Sequence, residues 1–478
     1  MRISEYYKLD RTQPYLDFVD VYLNTDIPVF VNPAAIRGLN STWGSDCVSL
    51  LQHFFESLLK RIKAGDKNAA VSLLSSLSEK NEFHLGYSKG KSRGHAFGQK
   101  SGTQVWKALS ESKAAKSSLL SDLEDTCLMI EGIGPDMVSD AICNIIRGPL
   151  LKYTEEMCRY YGIPLEPDVN SGSIWNPHEE QWETKLISLP VTKKYGKLVF
   201  VPKIIVRYGM WYAADEYYRH YLLPAMQQDE IEARSALVQT LKDGRKRVTK
   251  KSLIRKYGHG KSAIVEQTLK RPEILERYKQ VKGQNVPKPL SHGDFAEIER
   301  IETPDWIKLL ENIEKIPVGN DTAGDYEDSV EKLLSALFYP SLCSPQKQHK
   351  IHDGRKRIDI TYVNAANRGF FAWLSQHYSA AHVFVECKNY GKEVGNPAID
   401  QLSGRFSPSR GAVGILICRH IDNKKTLLKR CIDTAKDSRG YIIALDDEDI
   451  AELVNEYLKI HDPETYPMLR RLFNKLIM

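Results

Sequence analysis

Three residues in the last third of the chain have the types and spacing to work on a bound ion and a water. The stretch His382-Val383-Phe384-Val385-Glu386-Cys387-Lys388-Asn389-Tyr390 opens as a buried strand, because Val, Phe and Val in succession favour β structure. It then sets a carboxylate and an amine where the apolar run ends. Successive strand side chains alternate faces, so Glu386 and Lys388 point the same way, roughly 7 Å apart, and Cys387 points the other way. Such charges beside an apolar strand are costly unless they serve something, such as a metal and a water. A second β-rich run, Lys356 to Val363, carries Asp359 in its interior. The Asp353-Gly354 pair before it is a hairpin signal.

Positioning these groups requires a particular order of elements. Upstream, 326–338 reads as an amphipathic helix with Val330, Leu333, Leu334 and Leu337 on its apolar stripe. The hairpin follows, then the strand with Glu386 and Lys388. A helix from Ala398 to Phe406 and a core strand from Gly411 to Arg419 come next. A helix at 422–436, a short strand at 440–445 and a helix at 447–460 complete an α/β core, a mixed sheet flanked by helices. The connection Asn364 to Ala381 is longer than a hairpin needs. Phe370, Phe371, Trp373 and Leu374 predict a short packed helix within it.

That order, with Asp359 and Glu386-Cys387-Lys388, resembles the PD-(D/E)XK nuclease superfamily, the restriction-endonuclease-like fold, over about the last third of the chain. The resemblance implies that Asp359 and Glu386 bind metal and that Lys388 is the catalytic lysine. It further implies a helix glutamate, Glu327 with Glu331 as the alternative, and places Gln401 as the helix glutamine near the site. Ile358 stands where the nominal Pro of the motif would be.

The residue types suit that chemistry independently. Two carboxylates from adjacent strands can hold Mg²⁺, a hard ion that takes oxygen ligands and keeps several waters; Mn²⁺ is expected to substitute. A metal there polarises a phosphoryl oxygen and acidifies a bound water. Lys388 can orient that water or neutralise developing charge. The expected activity is hydrolysis of DNA phosphodiesters, double-stranded DNA first. The resemblance adds a setting in restriction or defence against foreign DNA. A catalytically silent nucleic-acid-binding protein and an RNA-directed nuclease are the competing readings. One site cuts one strand, so a double-strand cut would require a homodimer or two events.

A chain of 478 residues predicts two or three domains. The division read here is 1–228, an α+β N-terminal domain; 229–292, a basic helical connector; and 293–478, the α/β domain. No apolar run approaches the length of a membrane span and no signal peptide is evident, so a cytoplasmic protein is expected. Eight scattered cysteines with no C-x-x-C pair suggest neither a zinc site nor a disulfide framework.

In the N-terminal region, 15–23 and 28–33 read as short strands. Asp17, Asp20 and Asp26 read as turn residues and a solvated strand face. Helices are expected at 46–63 and 66–77, at 105–130, and from Met137 to about Tyr161. The Gly-Ile-Gly-Pro run at 132–135 reads as a helix stop followed by a Pro start. The Gly-, Lys- and Ser-rich run 86–98 reads as a loop, and neither Gly-Lys-Ser run in the chain has the P-loop spacing. Lys197 to Val206 reads as a β-like run.

Residues 243–285 hold thirteen Lys and Arg against four acids, +9 within a chain of net +6. Such local charge marks a nucleic-acid contact surface. The residues expected to form it are Arg245, Lys246, Arg247, Lys250, Lys251, Arg255, Lys256 and Lys261.

Overall fold

Val383, Phe384 and Val385 are buried, as an apolar run in a central strand should be. The computed structural model describes residues 1–77, 82–86, 99–117, 119–351, 356–391 and 394–478. Among them a sheet of five strands carries the run: β1 (Leu342–Ile351), β2 (Lys356–Asn364), β3 (His382–Lys388), β4 (Val413–Cys418) and β5 (Tyr441–Asp446), in that spatial order. β1, β2 and β3 run antiparallel, and β3, β4 and β5 run parallel. The sheet is therefore mixed, as expected.

Among the helices that accompany it are α1 (Ala323–Leu337), α2 (Gly369–His377), α3 (Asn396–Ser403), α4 (Lys424–Lys436), α5 (Asp447–Lys459) and α6 (Pro467–Ile477), and the helix Trp306–Glu314 adds Leu309 and Ile313 to the same core. β4 is buried at every position, which fits a parallel strand covered on both faces. α2 is the packed helix predicted between β2 and β3. It leaves the pairing intact, with Ile360 opposite Val385 and Thr361 opposite Phe384. α6 was not expected; it buries Met468, Leu469, Phe473 and Leu476 against the same core.

The apolar interior falls into two clusters. One runs from Leu309 to Leu476 and holds the five-stranded sheet. The other gathers residues from Ile3 to Phe295, joined by Tyr339, Cys343 and Ala365. Val248, Leu253, Ile264, Val265, Leu275 and Tyr278 belong to this second cluster. The basic segment is thus a surface of the N-terminal body rather than a free-standing connector. The Pro-containing stretch after it is also tied down: Arg207 donates to the Pro287 carbonyl at 3.1 Å and Tyr339 to the Leu290 carbonyl at 2.8 Å.

The N-terminal helices Thr42–Lys63 and Lys67–Ser75 match expectation, capped by Ser41 and Asp66. The single helix expected from Met137 is two, Pro135–Ile145 and Arg147–Tyr161. The helix expected at 105–130 is three shorter ones, Gln99–Glu111, Lys113–Lys116 and Asp125–Met129. Of the expected strands at 15–36 only Phe30–Val31 forms, paired with Val206–Arg207. Asp17 and Asp20 are not solvated. Both are buried acceptors, Asp17 from the Tyr153 hydroxyl at 2.6 Å and Asp20 from the Ser4 amide at 2.9 Å. The Asp353-Gly354 turn and residues 87–98 of the Gly-rich run lie outside the described residues. Among the described residues no helix is long and apolar enough to cross a membrane.

Candidate active site

β3 ends at a cleft of about 480 Å³, at the carboxyl end of its parallel pairing with β4. In sheets with parallel strands this is where ligands bind. Asp359, Glu386, Lys388, Glu327 and Gln401 all line it, beside Asn320, Asn389, Tyr390, Asp400 and Arg405. These five residues therefore reach one place, while Glu331, the alternative to Glu327, does not line it.

Register explains the first pair. Ile360 faces Val385, the last pair of this ladder, and Asp359 and Glu386 are the residues that follow it on either strand. Facing residues of an antiparallel pair share a side of the sheet. Asp359 is also held from β3, where the Cys387 amide donates to its Oδ2 at 3.0 Å. The alternation of β3 puts Lys388 beside Glu386, and its Nζ donates to Glu386 Oε1 at 2.8 Å. α3 brings Gln401, whose Nε2 donates to the same Oε1 while its Oε1 accepts from Lys388 at 3.2 Å.

Glu386 has no exposed surface. Burial, and then the charge of Asp359, push its carboxyl above the ordinary range, against the pull of Lys388 and Arg405. Its Oε2 makes no hydrogen bond. Burial works to lower Lys388, but Glu386 beside it prevails and holds the amine above the ordinary lysine value. Among the described residues no three His, Cys, Asp or Glu side chains form a ready cage for a metal. The donor set offered by the motif is two carboxylates, one with an unbonded buried oxygen. That set fits a hard cation which keeps several of its waters.

The two glutamates of α1 separate. Glu327 lines the cleft. Glu331, one turn later, is fully buried away from it, paired with Arg11, near Lys347 at 3.7 Å, and accepting from Ser335 at 2.6 Å. Two contributors escaped the sequence reading. Asn389 donates to the carbonyls of Pro317 at 3.0 Å and Gly319 at 2.9 Å, fixing the loop that enters α1. Arg405 reaches the cleft from just beyond α3; its signal was its place four residues after Gln401, one helical turn on.

The basic residues are placed unequally. Arg245, Lys246 and Arg247 are exposed on a hairpin that pairs Lys246–Arg247 with Gln239–Thr240. Lys250, Lys251, Arg255 and Lys256 are exposed on the helix Lys250–Tyr257. Lys256 pairs with Glu230 at 2.8 Å, and Lys250 donates to the Arg219 carbonyl at 2.6 Å. Lys261 is set apart from the exposed group: half-buried, it donates to the carbonyls of Ile130 at 2.9 Å and Ile133 at 2.6 Å.

Residues 8–213 match a family described as a domain of unknown function, DUF8370. No curated protein and no solved structure matches the chain.

Proposed function

We propose that the chain is a Mg²⁺-dependent endonuclease acting on double-stranded DNA, with the five-stranded sheet as its restriction-endonuclease-like core. The observation that supports this best is the convergence of Asp359, Glu386, Lys388 and Gln401 in one cleft, with Lys388 bonded to Glu386. Asp359 and Glu386 would hold the ion, whose contribution when bound is to polarise the phosphoryl oxygen and acidify a water. Lys388 stands beside them, bonded to Glu386. It orients the nucleophile and neutralises charge that builds on the phosphate. Gln401 fixes the rotamers of Glu386 and Lys388 by bonding both. Glu327 supplies a further carboxylate to the cleft. The exposed basic residues of the hairpin and its following helix hold the phosphate backbone away from the reacting bond. Defence against foreign DNA is the setting we infer.

The test is nicking and linearisation of supercoiled plasmid with Mg²⁺, Mn²⁺ or EDTA. Cutting is expected with either ion and not with EDTA. Lys388→Ala is expected to lower the rate by about 100-fold or more. Cutting that persists in EDTA, or that survives in Lys388→Ala, removes the assignment. Salt-sensitive DNA binding with no cutting by either protein would instead mark a binding protein with this fold.

A further inference from the structure

Arg405 has no part in the chemistry above, yet it is the most confined cation lining the cleft, 5% exposed against 8% for Lys388. Its Nε lies 3.7 Å from Glu386 Oε2, outside hydrogen-bond range, and neither Nε nor Nη1 has a hydrogen-bond partner. A guanidinium carries five N–H donors in a fixed fork and stays charged. Folding a chain around unused donors of this kind is costly, so they call for a partner. Glu386 is not that partner in full, because its other oxygen is already bonded by Lys388 and Gln401.

The arginine is also held in place. Its amide donates to the Leu402 carbonyl at 3.0 Å and its carbonyl accepts from Arg410 at 3.3 Å. α3 behind it is anchored by Arg439, which donates to Asp400 Oδ1 at 2.7 Å and Ser403 Oγ at 2.9 Å. Asp400 Oδ1 is thereby bonded by Arg439. Arg405 lines the cleft. Carboxylates and phosphates both accept from such a fork in bidentate fashion, and of the two a phosphate is the group that a nucleic-acid strand brings into the cleft.

We propose that Arg405 is a phosphate-binding residue of this cleft, gripping a phosphate of the nucleic-acid strand through its unused N–H groups. The proposal rests on the nuclease reading and deepens it. A simpler role, as a counter-ion for Glu386, predicts that Arg405 matters only while that carboxylate is present. The two roles therefore part in a Glu386→Gln background, where the carboxylate that Arg405 stands beside is gone.

The experiment measures binding of a short DNA duplex, with and without a 5′-phosphate, and of inorganic phosphate, to Glu386→Gln and to Glu386→Gln/Arg405→Ala. Melting curves check that each is folded, and Arg405→Met replaces Ala if the smaller side chain unfolds the site. Loss of Arg405 is expected to weaken duplex binding about 10-fold or more. Equal loss with and without the 5′-phosphate assigns Arg405 to a backbone phosphodiester. Loss confined to the phosphorylated duplex assigns it to a strand end, and loss with inorganic phosphate alone overturns the strand assignment. Unchanged affinity for every probe overturns the proposal and leaves Arg405 as a counter-ion. Plasmid cutting by the unsubstituted chain is read separately, so a protein that cuts while Arg405 proves inert loses this inference alone.

Discussion

Glu327 and Glu331 are one turn apart on the same helix and do opposite work. Glu327 is half-buried and lines the cleft, whereas Glu331 is fully buried and paired with Arg11 from the N-terminal body. Burial alone would raise Glu331, but Arg11 outweighs it, helped by Lys347 and Ser335, and the carboxyl is held below the ordinary range. A depressed carboxylate stabilises the fold above its unfolded pKa, and that contribution is lost as pH falls through the folded value. Breaking a buried pair by removing one partner costs about 3–5 kcal/mol. Glu331→Gln and Arg11→Ala should therefore lower stability at neutral pH by about that much, as read by urea unfolding. The gap between Glu331→Gln and the parent should narrow in acid. Glu327→Gln should leave the melt unchanged and lower metal-dependent cutting by about 10-fold or more. If Glu327→Gln melts early and cuts normally, the two glutamates have been assigned the wrong way round.

At the scale of elements, local pattern decided what could be read in advance. β3 announces itself through a short apolar run, and its charged end through the alternation that puts Glu386 and Lys388 on one side. α1 and α3 could be read as helices, but Glu327 and Gln401 were named on them only through the family resemblance. Glu327 and Glu331 could not be separated, because the partner that removes Glu331 lies some 320 positions away at Arg11. The same limit applies to Asp17 and Asp20. Their acceptor roles depend on Tyr153, Ser344 and Ser4, not on their neighbours in sequence. The run Lys197–Val206 promises one strand, but among the described residues its pairing is limited to Lys197 with Val191, an isolated bridge of Pro202 to Phe18, and Val206, with the Arg207 that follows, against Phe30–Val31. Charge, by contrast, was legible as composition but not as exposure, and Lys261 therefore could not be told apart from the surface group. The exposed members make a testable element. Replacing Lys246, Arg247 and Lys251 together by Ala should reduce the slope of log affinity against log salt for duplex DNA by about one for each phosphate no longer neutralised. A slope unchanged by the triple substitution would move the nucleic-acid surface elsewhere.

Across the whole molecule, the N-terminal body holds the elements that carry the site. Arg11 grips Glu331, and Lys332 of α1 donates to the Asp10 carbonyl at 2.8 Å. Asp17 accepts from the Ser344 amide of β1 at 2.9 Å, and Lys203 lies over the Tyr339 ring at 4.1 Å. His292 bonds the Ala336 carbonyl at 2.9 Å. All of these fall on α1, on the turn after it or on the start of β1, so their combined effect is to fix the helix that presents Glu327. The C-terminal region keeps its own apolar cluster without them. A fragment of residues 300–478 is therefore expected to retain its sheet while losing the restraint on α1. Hydrogen exchange should be little changed at Val413–Cys418 and at least about tenfold faster across Ala323–Leu337, because local opening follows the interactions that oppose it. Cutting should fall with it, even though Asp359, Glu386 and Lys388 all remain in the fragment. A fragment that cuts as well as the full chain, with α1 as protected as before, would show that the N-terminal body does not set the geometry of the site.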